Sequence, residues 1–294
     1  MTSVTYGELT RRNAGFLAPQ EQERLRGAAA FVCGVGGMGG AAVEALARSG
    51  VGTLGLADFD RFEATNLNRQ VFASAHTLGR LKTEATREAL LEINPEMCVH
   101  TYGAGWTDHL EEILGSYDVV VNGMDDLRAG IHLYRAARRH GVTVVDAFVS
   151  PHPSVTVVRP DDPRPEEWLG FPTRGFPVDA LSDEALAGAL LCELSFVAAV
   201  SGGIGRLDPH VVGEILRGER PRCSFAPVVI ISGNLMAFEA IGVLLDRTSG
   251  AGYKGYFVDP WTGRIERPGP RPLVALRRWS ALRYLKRLAA EVAS

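Results

Sequence analysis

Two periods of apolar residues alternate along this chain. Runs of five to seven residues, Ala28–Cys33, Gly52–Asp58, Met97–Tyr102, Asp118–Asn122 and Thr143–Phe148, have the length and apolar content of short buried strands. Between them lie segments with the 3.6-residue period of helices: Gly39–Ser49, Leu81–Ile93, Asp108–Leu114 and Leu127–His140. In the first of these Val43, Leu46 and Ala47 share one face. Strands alternating with helices predict an α/β fold with a doubly wound, mainly parallel, Rossmann-like sheet. Ser154–Arg159, Gly255–Asp259 and Arg264–Arg267 are predicted as further strands that extend and close the sheet. No internal repeat interrupts the pattern.

The remaining third reads differently. Residues 160–227 begin rich in proline and charge, turn apolar over Ala185–Val200, and then hold Ser201-Gly202-Gly203-Ile204-Gly205. Glu193 interrupts the apolar stretch and Gly202-Gly203 ends it early, so a buried helix is expected rather than a membrane span. Val228–Leu245 is almost entirely apolar and is expected to be buried, in the core or at a subunit interface. In a final helix, Leu273–Ala293, Arg277, Arg278, Arg283, Lys286 and Arg287 stand among leucines. A solvated amphipathic face is the simpler reading there, and a docking face for an acidic carrier the sharper one.

Chemistry concentrates between residues 31 and 82. The turn Gly34-Val35-Gly36-Gly37-Met38-Gly39 follows the first strand and opens a helix. Glycines there let the backbone approach a phosphate, which meets the free N–H groups of a helix N-terminus. Asp58 ends the next strand, 22 residues after Gly36, where a carboxylate can accept from ribose hydroxyls. This much fits any dinucleotide or nucleotide site, a NAD-dependent oxidoreductase included. The continuation is more specific. Asn66, Arg69 and Gln70 sit beyond a strand end, and Lys82 starts a helix directed at the same edge. Two cations with a metal-binding carboxylate suit a triphosphate, whose charge must be neutralised as it reacts. Asp125 follows the fourth strand and supplies that carboxylate. It and Asp126 also compete for the role of N-cap to Leu127–His140.

In these residues the chain resembles the ubiquitin-activating-type adenylating enzymes, the ThiF/MoeB/HesA family. The pieces that carry the resemblance are Gly34 to Gly39, Asp58-Phe59-Asp60, Asn66-Leu67-Asn68-Arg69-Gln70, Gly79-Arg80-Leu81-Lys82, Ile93-Asn94-Pro95-Glu96, Asp125-Asp126, Ala226-Pro227, and Gly233, Ala237 and Glu239-Ala240-Ile241. They span about half the chain, in family order. The resemblance implies one adenylation domain over 1–294: a nucleotide-binding half to 150, a crossover and acyl-substrate region over 151–227, and an interface helix, closing strands and C-terminal helix from 228. It implies an enzyme, an ATP-dependent adenylyltransferase using Mg2+, which activates the C-terminal carboxylate of a small ubiquitin-like or sulfur-carrier protein and releases pyrophosphate. Some relatives act on short peptides and some on a modified tRNA base. Carried over by position, Gly34, Gly36, Gly37 and Gly39 hold the phosphates, Asp58 and Asp60 lie at the ribose edge, and Asn66, Arg69, Gln70 and Lys82 handle the triphosphate. Asp125 ligates magnesium, and Arg12 serves the partner subunit's nucleotide in a homodimer. Asp126 stands where the family often has asparagine.

The cysteines depart from the family. Cys33, Cys98, Cys192 and Cys223 form no C-x-x-C pair, so the tetrahedral thiolate zinc site of many relatives is not expected, and zinc is left out of the cofactors. Cys33 and Cys98 fall in apolar strands and read as packing residues, and Cys192 as buried. Cys223 has Arg220 and Arg222 beside it, which would lower a thiol pKa. A thioester on Cys223 is one reading and a bystander cysteine the other. Unpaired thiols suit a reducing cytoplasm, and the N-terminal residues do not read as a signal peptide. A net charge of −3 over 294 residues gives no argument for nucleic acid or an anionic membrane as partner. Adenylation of a carrier protein, adenylation of a short peptide in natural-product maturation, NAD-dependent oxidoreduction and a non-enzymatic scaffold with a relict nucleotide site remain open. Arg69 and Lys82 weigh against the last two.

Overall fold

A computed structural model describes residues 4–290. Its strands are β1 Ala29–Cys33, β2 Thr53–Ala57, β3 Cys98–Tyr102, β4 Val119–Asn122, β5 Thr143–Asp146, β6 Ser154–Val158, β7 Tyr256–Asp259 and β8 Arg264–Glu266. Its helices are α1 Tyr6–Thr10, α2 Pro19–Gly27, α3 Gly37–Ser49, α4 Lys82–Ile93, α5 Leu110–Leu114, α6 Leu127–His140, α7 Pro165–Trp168, α8 Asp183–Val200, α9 Pro209–Leu216, α10 Ala226–Leu244 and α11 Arg271–Ala290. The expected end of the last helix, residues 291–293, lies outside the described residues.

The strands form one sheet in the order β3-β2-β1-β4-β5-β6-β7-β8. The first five are parallel and the last three antiparallel. The parallel part is buried on both faces, which is why its strands read as continuous apolar runs. Along β1, Ala30 and Val32 join the core under α3 and α10, while Phe31 and Cys33 join the core under α5 and α6. Phe31 packs against Tyr102, Trp106 and Tyr117 at ring-centroid separations of 5.7, 5.6 and 5.4 Å.

Helix α6 has both predicted ends because both stops are local. The Asp126 carboxylate accepts from Ala129 N–H at 3.0 Å, and Gly141 closes the helix at φ +67°. Asp108–Leu114 is not one helix. A 3-10 turn over Trp106–His109 precedes the short α5.

Two expectations about burial are corrected, both for cysteines. Cys98 is exposed, because β3 is the edge strand of the sheet and leaves most of its residues in solvent. Cys192 is half-buried rather than buried. Helix α10 is buried on one face only. Gly233 sits so close to α3 that an added Cβ would stand 2.3 Å from Met38 O, while Phe238 on the other face is 74% exposed. By length and composition α10 could cross a membrane, but that contact makes it a helix of the core.

Residues 160–225 are largely helical, and the helix expected over Ala185–Val200 is α8. Arg128 on α6 donates to Val178 O and Leu181 O, and Arg135 to Thr173 O and Phe176 O. Arg135 also pairs with the buried Glu166 at 2.8 Å. These bonds hold the proline-rich stretch against α6, with α8 packed beyond it under Phe148, Phe196 and Phe257.

Candidate active site

Strand order reverses between β1 and β4, and open α/β sheets bind ligands at such a switch point, beyond the strand C-termini. The loops after β1 and β4 meet there. Gly34 has φ +79° and donates its N–H to Ala57 O at 2.7 Å, while Gly123, after β4, donates to Cys33 O at 2.8 Å. A Cβ on Gly39 would stand 1.8 Å from Gly34 O, and one on Gly123 would stand 2.5 Å from the same atom. Only glycines fit, and the N-terminus of α3 is thereby drawn onto the sheet edge. Its cap residue is Gly36, so no side chain satisfies the first N–H groups of the helix. They are free for an anion.

The residues singled out in the sequence gather around this turn. The Asp58 carboxylate accepts from Val35 N–H at 3.0 Å and from Asp60 N–H at 2.9 Å, bracing the glycine loop. Burial raises its pKa, against the Asp60 N–H and Lys82, which lower it. A carboxylate has four acceptor sites, so two remain for ribose hydroxyls. Gln70 is buried, its Nε2 3.4 Å from where a Gly36 Cβ would lie and its Oε1 without a partner. Lys82 is only 7% exposed, and its Nζ donates to Asp60 Oδ2 at 2.8 Å. The pair crosses two segments that also bond through Lys82 N–H to Asp60 O. Arg69 lies beside Gly37, its Nη1 donating to Thr65 O at 2.8 Å and to Asn68 Oδ1 at 2.9 Å. Asn66 has a structural contact, its Oδ1 accepting from Glu63 N–H at 3.1 Å to cap a single turn.

Asp126 serves as the helix cap, and that separates the two acids. Asp125 has no hydrogen bond or ion pair among the described residues and lines a cavity beyond β4 and β5. This narrow cavity of about 80 Å³, partly open to solvent, runs under the crossover between Asp125, Tyr134, Asp146, Glu193 and Arg222. Asp146 Oδ2 accepts from Tyr134 OH at 2.6 Å and Asn122 Nδ2 at 2.8 Å. Burial pushes Asp146 up to about 6 and Glu193 up to about 7, the latter aided by the charge of Asp146.

Two further residues lie outside this group. Asn13, next to Arg12, bonds to Ser49 O at the C-terminus of α3, and the phosphate end of that helix is ~18 Å away along its axis. Arg12 therefore does not serve the site of its own chain. Cys223 is exposed, yet close to the site, because its neighbour Ser224 accepts at its carbonyl from Asn68 Nδ2 at 3.0 Å. Sequence reading gave no site role to Asn68, Gly123, Asp146 or Glu193, and gave Arg222 one only beside Cys223. Gly123 and Asp146, each at the end of an apolar strand, were the findable signals; the reach of Glu193 and Arg222 across the crossover had none.

A glycine turn on an uncapped helix, a buried lysine, an arginine and a metal-ready carboxylate at one switch point define a nucleotide-binding α/β protein. The sequence model of the ThiF family matches residues 10–272, and the chain belongs to that family. It is 38% identical over 132 residues to the tRNA threonylcarbamoyladenosine dehydratase of Haemophilus influenzae, 43% of this chain and 49% of that protein. It is 36% identical over 111 residues to the sulfur carrier protein adenylyltransferase of Thermus thermophilus, 37% of this chain and 41% of that protein. The chain thus spans less than half the length of these curated relatives. Its fold is similar to that of PaaA, at a TM-score of 0.62 and 20% identity over 91% of this chain and 74% of that one. Escherichia coli MccB solved with ATP gives 0.60 at 20% identity over 85% and 65%.

Proposed function

We propose that this chain is an ATP-dependent adenylyltransferase that activates the C-terminal carboxylate of a small ubiquitin-like or sulfur-carrier protein. The observation that carries the proposal is the unbonded Asp125 after β4 and the uncapped N-terminus of α3 after β1, on loops that meet where Gly34 and Gly39 touch Gly123, with Arg69 and Lys82 on the same edge. The N–H groups around Gly34, Gly36, Gly37 and Gly39 hold phosphates and Asp58 the ribose, with Gln70 beside the loop at the triphosphate. Asp125 fits Mg2+, which prefers one or two carboxylates with phosphates and water and would neutralise phosphate charge when bound. A substrate carboxylate oxygen attacks the α-phosphorus, the bond to the bridging oxygen breaks, and pyrophosphate leaves with the electron pair. The carboxylate is ionised at neutral pH, so no general base is needed. The protein aligns the groups and stabilises charge on the phosphoryl oxygens. A nicotinamide site has no use for this cation set.

The T. thermophilus relative supports the carrier reading by its name. A second reading, a short peptide, is favoured by the cavity beside Asp125. It offers polar partners for side chains, which a Gly-Gly tail does not have. The exposed face of α10, with Ile231, Asn234 and Phe238, supports a two-fold homodimer in which Arg12 reaches the neighbouring site. The test is ATP–pyrophosphate exchange with a carrier ending in Gly-Gly and with short peptides. Arg69→Ala and Asp125→Ala are each expected to lower exchange by about a hundredfold while the protein stays folded. Unchanged exchange in both variants, or tight NAD binding without ATP binding, overturns the reading.

A further inference from the structure

A second cluster of chemistry-bearing side chains lies on the same sheet edge, displaced sideways from the nucleotide site to where the β5–β6 connection meets the end of β7. His152, in the β5–β6 connection between two prolines, is 1% exposed. Its Nδ1 lies 3.0 Å from Glu266 Oε2 and 3.2 Å from Ser201 Oγ. Its Nε2 is buried and has no hydrogen-bond partner. The acidic atom it faces is Asp259 Oδ1, 3.7 Å away. Asp259 ends β7 and is held in place by Trp261 N–H at 2.9 Å and Thr262 N–H at 3.3 Å on Oδ1, and by the Thr262 hydroxyl at 2.8 Å on Oδ2. Arg206 approaches Oδ2 at 3.5 Å. The ligand atoms offered by His152, Asp259 and Glu266 all lie within 4.8 Å of one another.

These distances have a chemical meaning. A separation of 3.7 Å between Nε2 and Oδ1 is too long for a hydrogen bond. It is the separation of two ligands on one ion: with metal–nitrogen and metal–oxygen bonds of ~2.1 Å, it corresponds to an angle of roughly 120° at the metal. The Nδ1–H donated to the Glu266 carboxylate fixes the tautomer that leaves the Nε2 lone pair free. A carboxylate on the far nitrogen is the usual support of a metal-binding histidine. A buried, unpartnered acceptor costs free energy, so its persistence calls for a ligand.

We propose that His152 Nε2 and Asp259 bind a divalent transition metal, zinc by ligand class, with Glu266 orienting the imidazole and water completing the shell. The thiolate argument against zinc does not reach this site, since it holds no cysteine. The metal has a structural purpose. Glu266 Oε1 also accepts from Gly202 N–H at 3.0 Å, and Ser201 touches His152. The ion therefore fastens the end of α8, where the crossover turns, to β7 and β8.

Zinc chloride titrated against a competing chromophoric chelator, on metal-stripped protein, tests this. The wild type is expected to bind one equivalent and to gain thermal stability on binding. Asp259→Asn is expected to abolish that binding, and Glu266→Gln to weaken it 10- to 100-fold. His152→Gln should also abolish it, and circular dichroism reports whether each variant is folded. If His152→Gln does not fold, the two carboxylate variants still decide the matter. Absence of saturable binding by the wild type overturns the proposal, and the cluster is then a hydrogen-bonded clasp without an ion. Binding of equal affinity in the wild type and the carboxylate variants overturns it too, by placing the zinc elsewhere, as on Cys98 and His100.

Discussion

Replacing Gly39 by alanine separates phosphate binding from folding. The new Cβ would stand 1.8 Å from Gly34 O and 3.0 Å from Gly34 C. Ordinary contact begins near 3.4 Å, so one of the two backbones must retreat by about 1.6 Å. Gly34 cannot yield easily, because its N–H is tied to Ala57 O at 2.7 Å and its φ of +79° leaves little room. The first turn of α3 therefore moves. Overpacking of this kind costs ~1–3 kcal/mol, and alanine returns up to ~1 kcal/mol of helix propensity. The net loss of stability is modest. The N–H groups that would meet the phosphates, by contrast, are displaced by more than 1 Å, enough to cost about a hundredfold. Calorimetry with ATP, pyrophosphate exchange and urea denaturation are to be measured together. Gly242→Ala on α10, where nothing lies within 4 Å of the added Cβ, is the control. It should hold or gain stability and bind ATP as the wild type does. If Gly39→Ala is folded and binds ATP with wild-type affinity, the N-terminus of α3 is not the phosphate site.

Asp146 and Glu193 have folded-state pKa values raised to about 6 and about 7, above those of an unfolded chain. Their contribution to stability is full below the ordinary carboxylate range and lost as pH rises through those values. Denaturation midpoints should therefore fall between about pH 4 and pH 7, and Asp146→Asn should flatten that slope by up to ~1.4 kcal/mol per pH unit; a variant with the wild-type slope refutes the assignment. Arg12→Ala should lose exchange, and mixing it with Asp125→Ala should restore part of it, since one site of the hybrid dimer is intact. A monomer by light scattering removes the case for Arg12. Cys223→Ser should retain adenylate formation, a step without a thiol; a folded variant unable to catalyse exchange would contradict this division of labour.

Much of the site was legible because its signals are local. A strand followed by Gly34 to Gly39, a strand ending at Asp58 and a strand followed by Asp125 each define a C-terminal edge, and parallel strands bring such edges together. The ends of α6 were legible for the same reason, since an N-cap and a left-handed glycine act within one turn. Which of two adjacent acids caps that helix was decided by backbone direction at Asp126, and only this left Asp125 free. The partner of Lys82 was likewise a matter of tertiary pairing, because Asp60 stands 22 residues earlier and reaches it through a bridge between two loops.

The sequence by itself determined the alternation of strands and helices, the phosphate turn and the acidic strand ends, because periodicity, glycine geometry and capping act over a few residues. Only the tertiary structure decided that β3 is an edge and Cys98 exposed, that α10 shows Phe238 to solvent, and that the proline-rich start of the crossover is held against α6. The same holds for Glu193 facing Asp146, and for His152 lying between Asp259 and Glu266. Each of these depends on which segments pack together, and burial, desolvation and pairing are properties of that packing rather than of neighbours along the chain.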